Sequence, residues 1–420
     1  MKKFSRAAAV FIPLALLVAC GSDDNASTAT TAAAGATETS AAGATETSAA
    51  GATETSAAGA TETSAAGATE TSAAAAGGDG LSRAKQIVAD NSKPSDKIGP
   101  TIPLTGKPPK KKVAWLECEQ PSCVAETPGM KDATAALGWD LIVIPASSGA
   151  QGPAIQQALD QGADYIAHSG SPLATAQAEM DAAKAKGVPY ASCYSTDDPD
   201  FANNDLLMQC GDEGAVDSSG GLNANWIIAD SDGKAHTLIV NIPDFPVLIA
   251  EADGAKKQYA ENCPDCVVDE LDTTINALIA GEVPAAVVAK VQADPSINYL
   301  HFTFGDLPAG VKEALDAAGL LKQVKITGVD FSVSLGLQGI IDGTHAAWTA
   351  NPKPYAMWLM VDAFARHSLG MDNPEERANA VLPTFIVSDK ATAEEVKALG
   401  PDGWPGPATM ADQFKKLWGV

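Results

Sequence analysis

Positive charge is scarce in this chain. Lys and Arg total 28 against 52 Asp and Glu, a net charge of −24. A phosphate-binding surface needs the opposite balance, so nucleic-acid partners are excluded. Histidine is rarer, with five residues: His168, His236, His301, His345 and His367. No H-E-x-x-H contains them, which removes the zinc-hydrolase pattern, and no Cys/His set has structural-zinc spacing. His168 beside Ser169 is not a G-x-S-x-G elbow, and strand neighbours face opposite ways. An enzyme, such as a secreted hydrolase, is therefore not expected. A G-x-G-x-x-G or Walker loop directly behind a strand is also missing, so neither a nucleotide nor any other cofactor is expected.

Long hydrophobic runs are missing too. The chain has no apolar run of the ~20 residues that span a bilayer. The run Ala7–Ala19 is shorter and follows Lys2, Lys3 and Arg6, the layout of a secretory signal peptide. It ends in Leu17, Val18, Ala19 and Cys20, followed by Gly21, which resembles the lipobox of bacterial lipoproteins. That resemblance implies that Cys20 is acylated and anchors an extracytoplasmic protein to the cell membrane. Behind it, the octapeptide GATETSAA occurs five times in tandem from Gly35 to Ala74. Such a stretch has no large apolar side chain to offset the entropy of ordering it. Residues 21–80 are expected to be a tether, with an r.m.s. reach on the order of 40 Å.

Setting Cys20 aside leaves six cysteines, an even set suited to an oxidising compartment. Local proximity favours Cys118 with Cys123, Cys193 with Cys210, and Cys263 with Cys266, although spacing alone does not choose among the pairings. Cys263-Pro-Asp-Cys266 also has the form of a redox CxxC. It follows a helical stretch instead of opening one, which favours a structural staple.

From Lys112 onward short apolar runs alternate with amphipathic stretches. Strands are predicted over Val113–Leu116, Leu141–Ile144, Tyr165–Ala167, Pro189–Cys193 and Leu206–Cys210. Helices are predicted over Met130–Leu137, Ala154–Gln161 and Ala174–Lys186. A second series follows the helical stretch Gly214–Ala229, with strands at Thr237–Asn241, Val267–Leu271, Tyr299–Phe304 and Lys325–Val329. Between them come helices at Val247–Tyr259, Ala285–Ala293 and Ala309–Ala317. Strands apolar on both faces with helical crossovers make parallel sheets. The fold class is α/β, with two doubly wound Rossmann-like lobes.

The segments ALGWDL, QQALDQGADYIA, AAKAKGVPY, FGDLPAGVKEALDAAG and ITGVDFS, in this order and spacing, resemble the sugar-type, ribose-binding-like (type I) periplasmic solute-binding proteins of ABC importers. The resemblance covers most of the globular chain. It implies two lobes joined by three crossovers and closing over a small ligand in a central cleft. The N-terminal lobe is expected over 81–211 plus about 350–372, and the C-terminal lobe over 212–349 plus about 373–420. The implied function is delivery of a sugar or related compound to ABC permease subunits by a monomer. A sensor lipoprotein reporting occupancy to a receptor is the alternative.

Ligands of parallel sheets sit beyond the carboxyl ends of the strands. That rule selects Glu117, Ser169, Tyr194, Ser195, Asp212, Phe245, Asp306, Asp330 and Phe331 as ligand-binding candidates, with Glu119, Ser147, Ser148, Ser171 and Asp244 at the same edges. The resemblance puts Asp330, in GVDFS, where sugar binders place an Asp against ligand hydroxyls, and adds Trp348 near the last crossover. It also exposes departures. Tyr194 and Ser195 stand where sugar binders have Asp-Arg, Gly305 stands for Asn, Ala350 stands for Gln, and the region of Pro121 and Ser122 lacks an aromatic pair. Tyr194, Phe245, Phe331 and Trp348 would suit a less polar or ring-bearing ligand.

Overall fold

Apolar strands and amphipathic helices alternate through the chain as the sequence periodicity requires, and they assemble into two parallel sheets. The computed structural model describes residues 74–196, 205–211, 213–371, 374–379, 381–400 and 403–420. The N-terminal segment with Cys20, the GATETSAA array up to residue 73, and Asp212 lie outside the described residues.

The first sheet contains β1 (Lys112–Cys118), β2 (Asp140–Ala146), β3 (Tyr165–Ser169), β4 (Tyr190–Cys193) and β5 (Leu206–Cys210) in the order β2-β1-β3-β4-β5. All its pairings are parallel. The second contains β6 (His236–Asn241), β7 (Val267–Asp272), β8 (Tyr299–Phe302), β9 (Lys325–Gly328), β10 (His345–Ala350) and β11 (Phe385–Val387). Its order β11-β10-β9-β8-β6-β7 repeats the first lobe's pattern and adds β11 as an antiparallel edge. In both lobes the chain reverses its direction of strand addition at one place, between β1 and β3 and between β6 and β8. Loops diverge there, leaving a crevice for a ligand.

Two segments sit in the opposite lobe from the one their place in the sequence predicts. Helix Ala74–Asp90 begins inside the stretch expected to be tether and packs on the second lobe. Ala84 joins a core with Ala224, Ile227 and Ile228, and Arg83 Nε donates to Asn262 Oδ1 at 3.0 Å. A Cβ on Gly80 would lie 2.4 Å from the Asn262 carbonyl oxygen, so the small residues that look like linker allow this close approach. At the other end, helix Met410–Trp418 packs in the first lobe. Trp418 stacks on Trp358 with centroids 5.2 Å apart, and its indole N–H donates to Asp362 Oδ1 at 2.8 Å. Each terminus thus adds a crossing to the three that the resemblance implies.

Helix Lys353–Ser368 is the structural axis of the first lobe. Met357, Trp358, Val361 and Phe364 are buried in its core, and Gly129, inside helix Thr127–Leu137, approaches Pro354 so closely that a Cβ would lie 2.5 Å from its Cα. Buried Arg366 meets Asp362 at 2.6 Å and Glu376 at 3.5 Å. The Glu376 carboxylate also accepts from the Thr101 backbone N–H at 2.9 Å. This network fastens the segment entering β1. All three cysteine pairs form disulfides: Cys118–Cys123, Cys193–Cys210 and Cys263–Cys266.

Candidate functional site

The carboxyl ends of β1, β3 and β4 face those of β6, β8 and β9 across a cleft. Its two walls differ in chemistry.

The wall on the first lobe is polar. The Cys118–Cys123 bond closes a short turn behind β1 that presents Gln120 and Ser122 to the cleft. Glu126 follows. It holds the N-cap position of helix Thr127–Leu137 but makes no capping bond through its side chain, because the carboxyl group turns into the cleft. Ser169 Oγ, at the end of β3, donates to Glu126 Oε1 at 2.9 Å. Glu126 is only 2% exposed. Burial pushes its carboxyl up to about 8, with the nearby Lys353 ammonium opposing the shift, so it is a neutral acid at pH 7. Its Oε2, the Ser148 hydroxyl and the Tyr194 hydroxyl are buried without a hydrogen-bond partner. Tyr194 leaves β4 in the left-handed region, φ 53°. Burial, followed by the Asp330 and Glu126 carboxylates, raises its phenol well above the ordinary range.

The wall on the second lobe is hydrocarbon, formed by Ile242, Phe245, Val247, Leu248, Ile275 and Phe304. Glu251 and Thr303 are its polar members, and the Thr303 hydroxyl donates to Asn241 Oδ1 at 3.0 Å. Between the walls, Lys353 Nζ forms an ion pair with Asp330 Oδ1; the two side chains are 7% and 17% exposed. Asp330 also has a positive φ, 54°, and its backbone N–H donates to Thr349 Oγ1 at 3.1 Å. Gly305 is where this backbone passes: a Cβ there would lie 1.9 Å from the Asp330 carbonyl oxygen. The Gly that replaces the family's Asn is therefore a packing requirement.

Of the residues selected from the sequence, Tyr194, Ser169, Phe245 and Asp330 line the cleft, and Ser148 and Ser171 line it with them. Five others do not. Trp348 is fully buried in the second lobe's core, where its indole N–H meets His345 Nδ1 at 3.1 Å and its ring covers Gly328. Phe331 is 5% exposed in the same core, packed over Gly336 and Gly403. Both aromatics fill space opened by glycines on neighbouring elements. Glu117 accepts from the Thr127 hydroxyl, which itself accepts from the Trp115 indole at 2.8 Å. Ser195 is buried outside the cleft lining. Asp306 reaches the other lobe, accepting from the Ser122 backbone N–H at 3.2 Å; burial raises its carboxyl, against the pull of Lys353.

Glu126 and Lys353 escaped sequence reasoning. Lys353 carried a signal: it lies between Pro352 and Pro354 at the first position of a helix, where the helix dipole disfavours a cation. A positive charge there requires a compensating carboxylate. Glu126 sits in a loop beyond a strand end and carried no comparable mark.

A search of the curated proteins finds no match. The periplasmic binding protein domain family matches residues 124–371. Among solved structures, an ABC transporter solute-binding protein from Mycobacterium smegmatis with bound glycerol shares 18% identity and a TM-score of 0.58, covering 69% of this chain and 97% of that one. A second from Agrobacterium vitis, with bound allitol, also shares 18% identity, with a TM-score of 0.57 and coverage of 69% and 99%. A sugar ABC transporter protein from Yersinia enterocolitica shares 16% identity and a TM-score of 0.60, covering 74% and 95%. The family match spans more than half of the chain, and the lobes and their strand order agree with it: the chain belongs to the periplasmic binding protein domain family and has its type I fold.

Proposed function

We propose that this chain is an extracytoplasmic, lipid-anchored binding protein that captures a small uncharged solute and delivers it to an ABC import permease. The observation that carries this reading is the cleft itself. Two strand-end walls from different lobes face one another around buried polar atoms that have no partner: Glu126 Oε2, Ser148 Oγ and Tyr194 Oη. Leaving such groups unpaired costs about 1–3 kcal/mol each, which a bound molecule's hydrogen bonds would recover. The glycerol and allitol bound by two structural relatives make neutral hydroxyl-bearing compounds the first class to test. Tyr194, Ser169 and Asp330 are the ligand contacts drawn from strand ends, with Phe245 covering apolar ligand surface.

Capture works by differential affinity. A solute touching both lobes stabilises the state in which they meet, and the permease reads that state. Cys20 would supply the anchor and residues 21–73 the reach. Nucleophilic chemistry gains no support from Ser169, whose hydroxyl donates to Glu126.

The test is a thermal-shift screen of the oxidised chain against sugars, polyols, ring alcohols, nucleosides and amino acids. Ligand at a hundred times Kd should add about 2.7 kcal/mol. Absence of any shift across the panel would sink the reading. Labelling of Cys20 by a palmitate analogue in an exporting host tests the anchor; a C20S chain should lose the label.

A further inference from the structure

The two walls of the cleft demand different things of a ligand. On the first lobe, three residues lining the cleft carry polar atoms buried without a partner: Glu126 Oε2, the Ser148 hydroxyl and the Tyr194 hydroxyl. On the second lobe, the hydrocarbon of Ile242, Phe245, Leu248, Ile275 and Phe304 faces them, with Glu251 and Thr303 as the polar members of that wall. A free polyol carries hydroxyls around its whole circumference. Pressed into this cleft it would desolvate half of them against carbon, and each such group costs more than it returns.

The charge pattern narrows the class further. Lys353 is the one cation among the described residues lining the cleft, and Asp330 already takes its charge. An anion would therefore find no free cation among the described lining residues. A small-molecule site of this kind recognises its ligand by apolar burial and uses a few polar groups to orient it.

We propose that the cleft is built for an uncharged ring compound, hydrocarbon on one face and bearing hydroxyl or carbonyl groups along one edge, in preference to a free polyol or an anion. This rests on the binding-protein reading above. The hydrogen-bonding edge meets Glu126, Ser148 and Tyr194, and the hydrocarbon face lies on Phe245 and its neighbours.

The experiment is isothermal titration of the oxidised full-length chain with matched probes. They are 4-hydroxybenzyl alcohol and cyclohexane-1,4-diol as neutral rings, D-ribose, D-glucose and glycerol as polyols, 4-hydroxybenzoate as the anion and tyramine as the cation. The neutral rings are expected to bind at least about tenfold more tightly than the polyols and the ions, a difference of about 1.4 kcal/mol, with a negative heat-capacity change from apolar burial. Phe245→Ala should weaken the ring probes about tenfold. Ser148→Ala and Tyr194→Phe remove hydroxyls that have no partner in the fold, so they should hold or raise the melting temperature while weakening the ring probes about fivefold.

Preferential binding of a polyol, or of either ion, would overturn the inference and leave the binding-protein reading standing. Ring binding unaffected by all three variants would overturn the placement and thus the inference. Failure of every probe, and of the broader screen above, would sink the binding-protein reading itself and the inference with it.

Discussion

Ser122 and Asp306 join the two lobes: the Ser122 backbone N–H, on the disulfide-closed turn behind β1, donates to Asp306 Oδ2 at 3.2 Å. Asp306 was selected from the sequence as a ligand contact. Its carboxylate accepts this hydrogen bond from the opposite lobe, and we propose that it acts as a latch on the state in which the lobes meet.

Asp306→Ala should release that latch. A hydrogen bond to a charged group contributes about 1.5–3 kcal/mol, so the ligand-free variant should populate a more open form and bind about tenfold more weakly. Small-angle scattering checks this directly. An unchanged radius of gyration in the ligand-free variant would remove Asp306 from this role.

The Lys353–Asp330 pair bridges the helix Lys353–Ser368 and the end of β9. Asp330→Ala leaves a buried ammonium without its counter-charge, and breaking such a pair costs about 3–5 kcal/mol. Binding should weaken as well, by about 1–3 kcal/mol if the carboxylate also accepts from the ligand. Denaturant titration separates the two effects. The double variant K353M/D330A should recover much of the stability but not the affinity.

Glu126 gives the protein a pH dependence whose sign is fixed. Burial raises its carboxyl from 4.5 to about 8, so the folded state holds the proton more tightly than the unfolded chain does. The stability it contributes is fully present below pH 4.5 and is lost as pH rises through about 8. Ser169, Lys353, Asp330 and Tyr194 are the groups that act on it. Glu126→Gln keeps the neutral form at all pH, so its melting temperature should match the parent at pH 5 and exceed it at pH 9. Parallel melting curves at all pH values would contradict the assignment.

The Cys118–Cys123 bond closes a small loop, for which chain entropy provides about 2 kcal/mol. Replacing both cysteines by serine should therefore cost modest stability. Affinity should fall more noticeably, because Gln120 and Ser122 ride on that turn. Equal affinity in the disulfide-free protein would show that the turn is shaped by packing alone.

Gly305→Ala tests the approach of Asp330. The added Cβ would lie 1.9 Å from the Asp330 carbonyl oxygen, a clash with backbone that only a main-chain shift relieves. A loss of about 2–3 kcal/mol and weakened binding are expected, in the range of overpacking. A melting temperature within a degree or so of the parent would mean that the β8 loop yields freely.

The sequence by itself determined the layered α/β architecture, because short continuous apolar runs and period-3.6 stretches record which faces must be buried. Leu206–Cys210 and the body of every predicted strand appear where that pattern puts them. Local closeness anticipated the three disulfides, since short loops bring cysteines together at little cost. Tertiary structure decided everything that depends on residues far apart in the chain. The carboxyl ends of β1, β3, β4, β6, β8 and β9 point toward the cleft, but the loops beyond them turn according to neighbouring elements. Gly328 and Gly336 made room for Trp348 in the core, Lys353 drew Asp330 into an ion pair, and the turn at Ser122 claimed Asp306. The two terminal helices likewise lie in lobes chosen by Asn262 and Trp358. Such outcomes rest on the volume and charge left over when distant segments pack, and no single stretch of sequence contains that information.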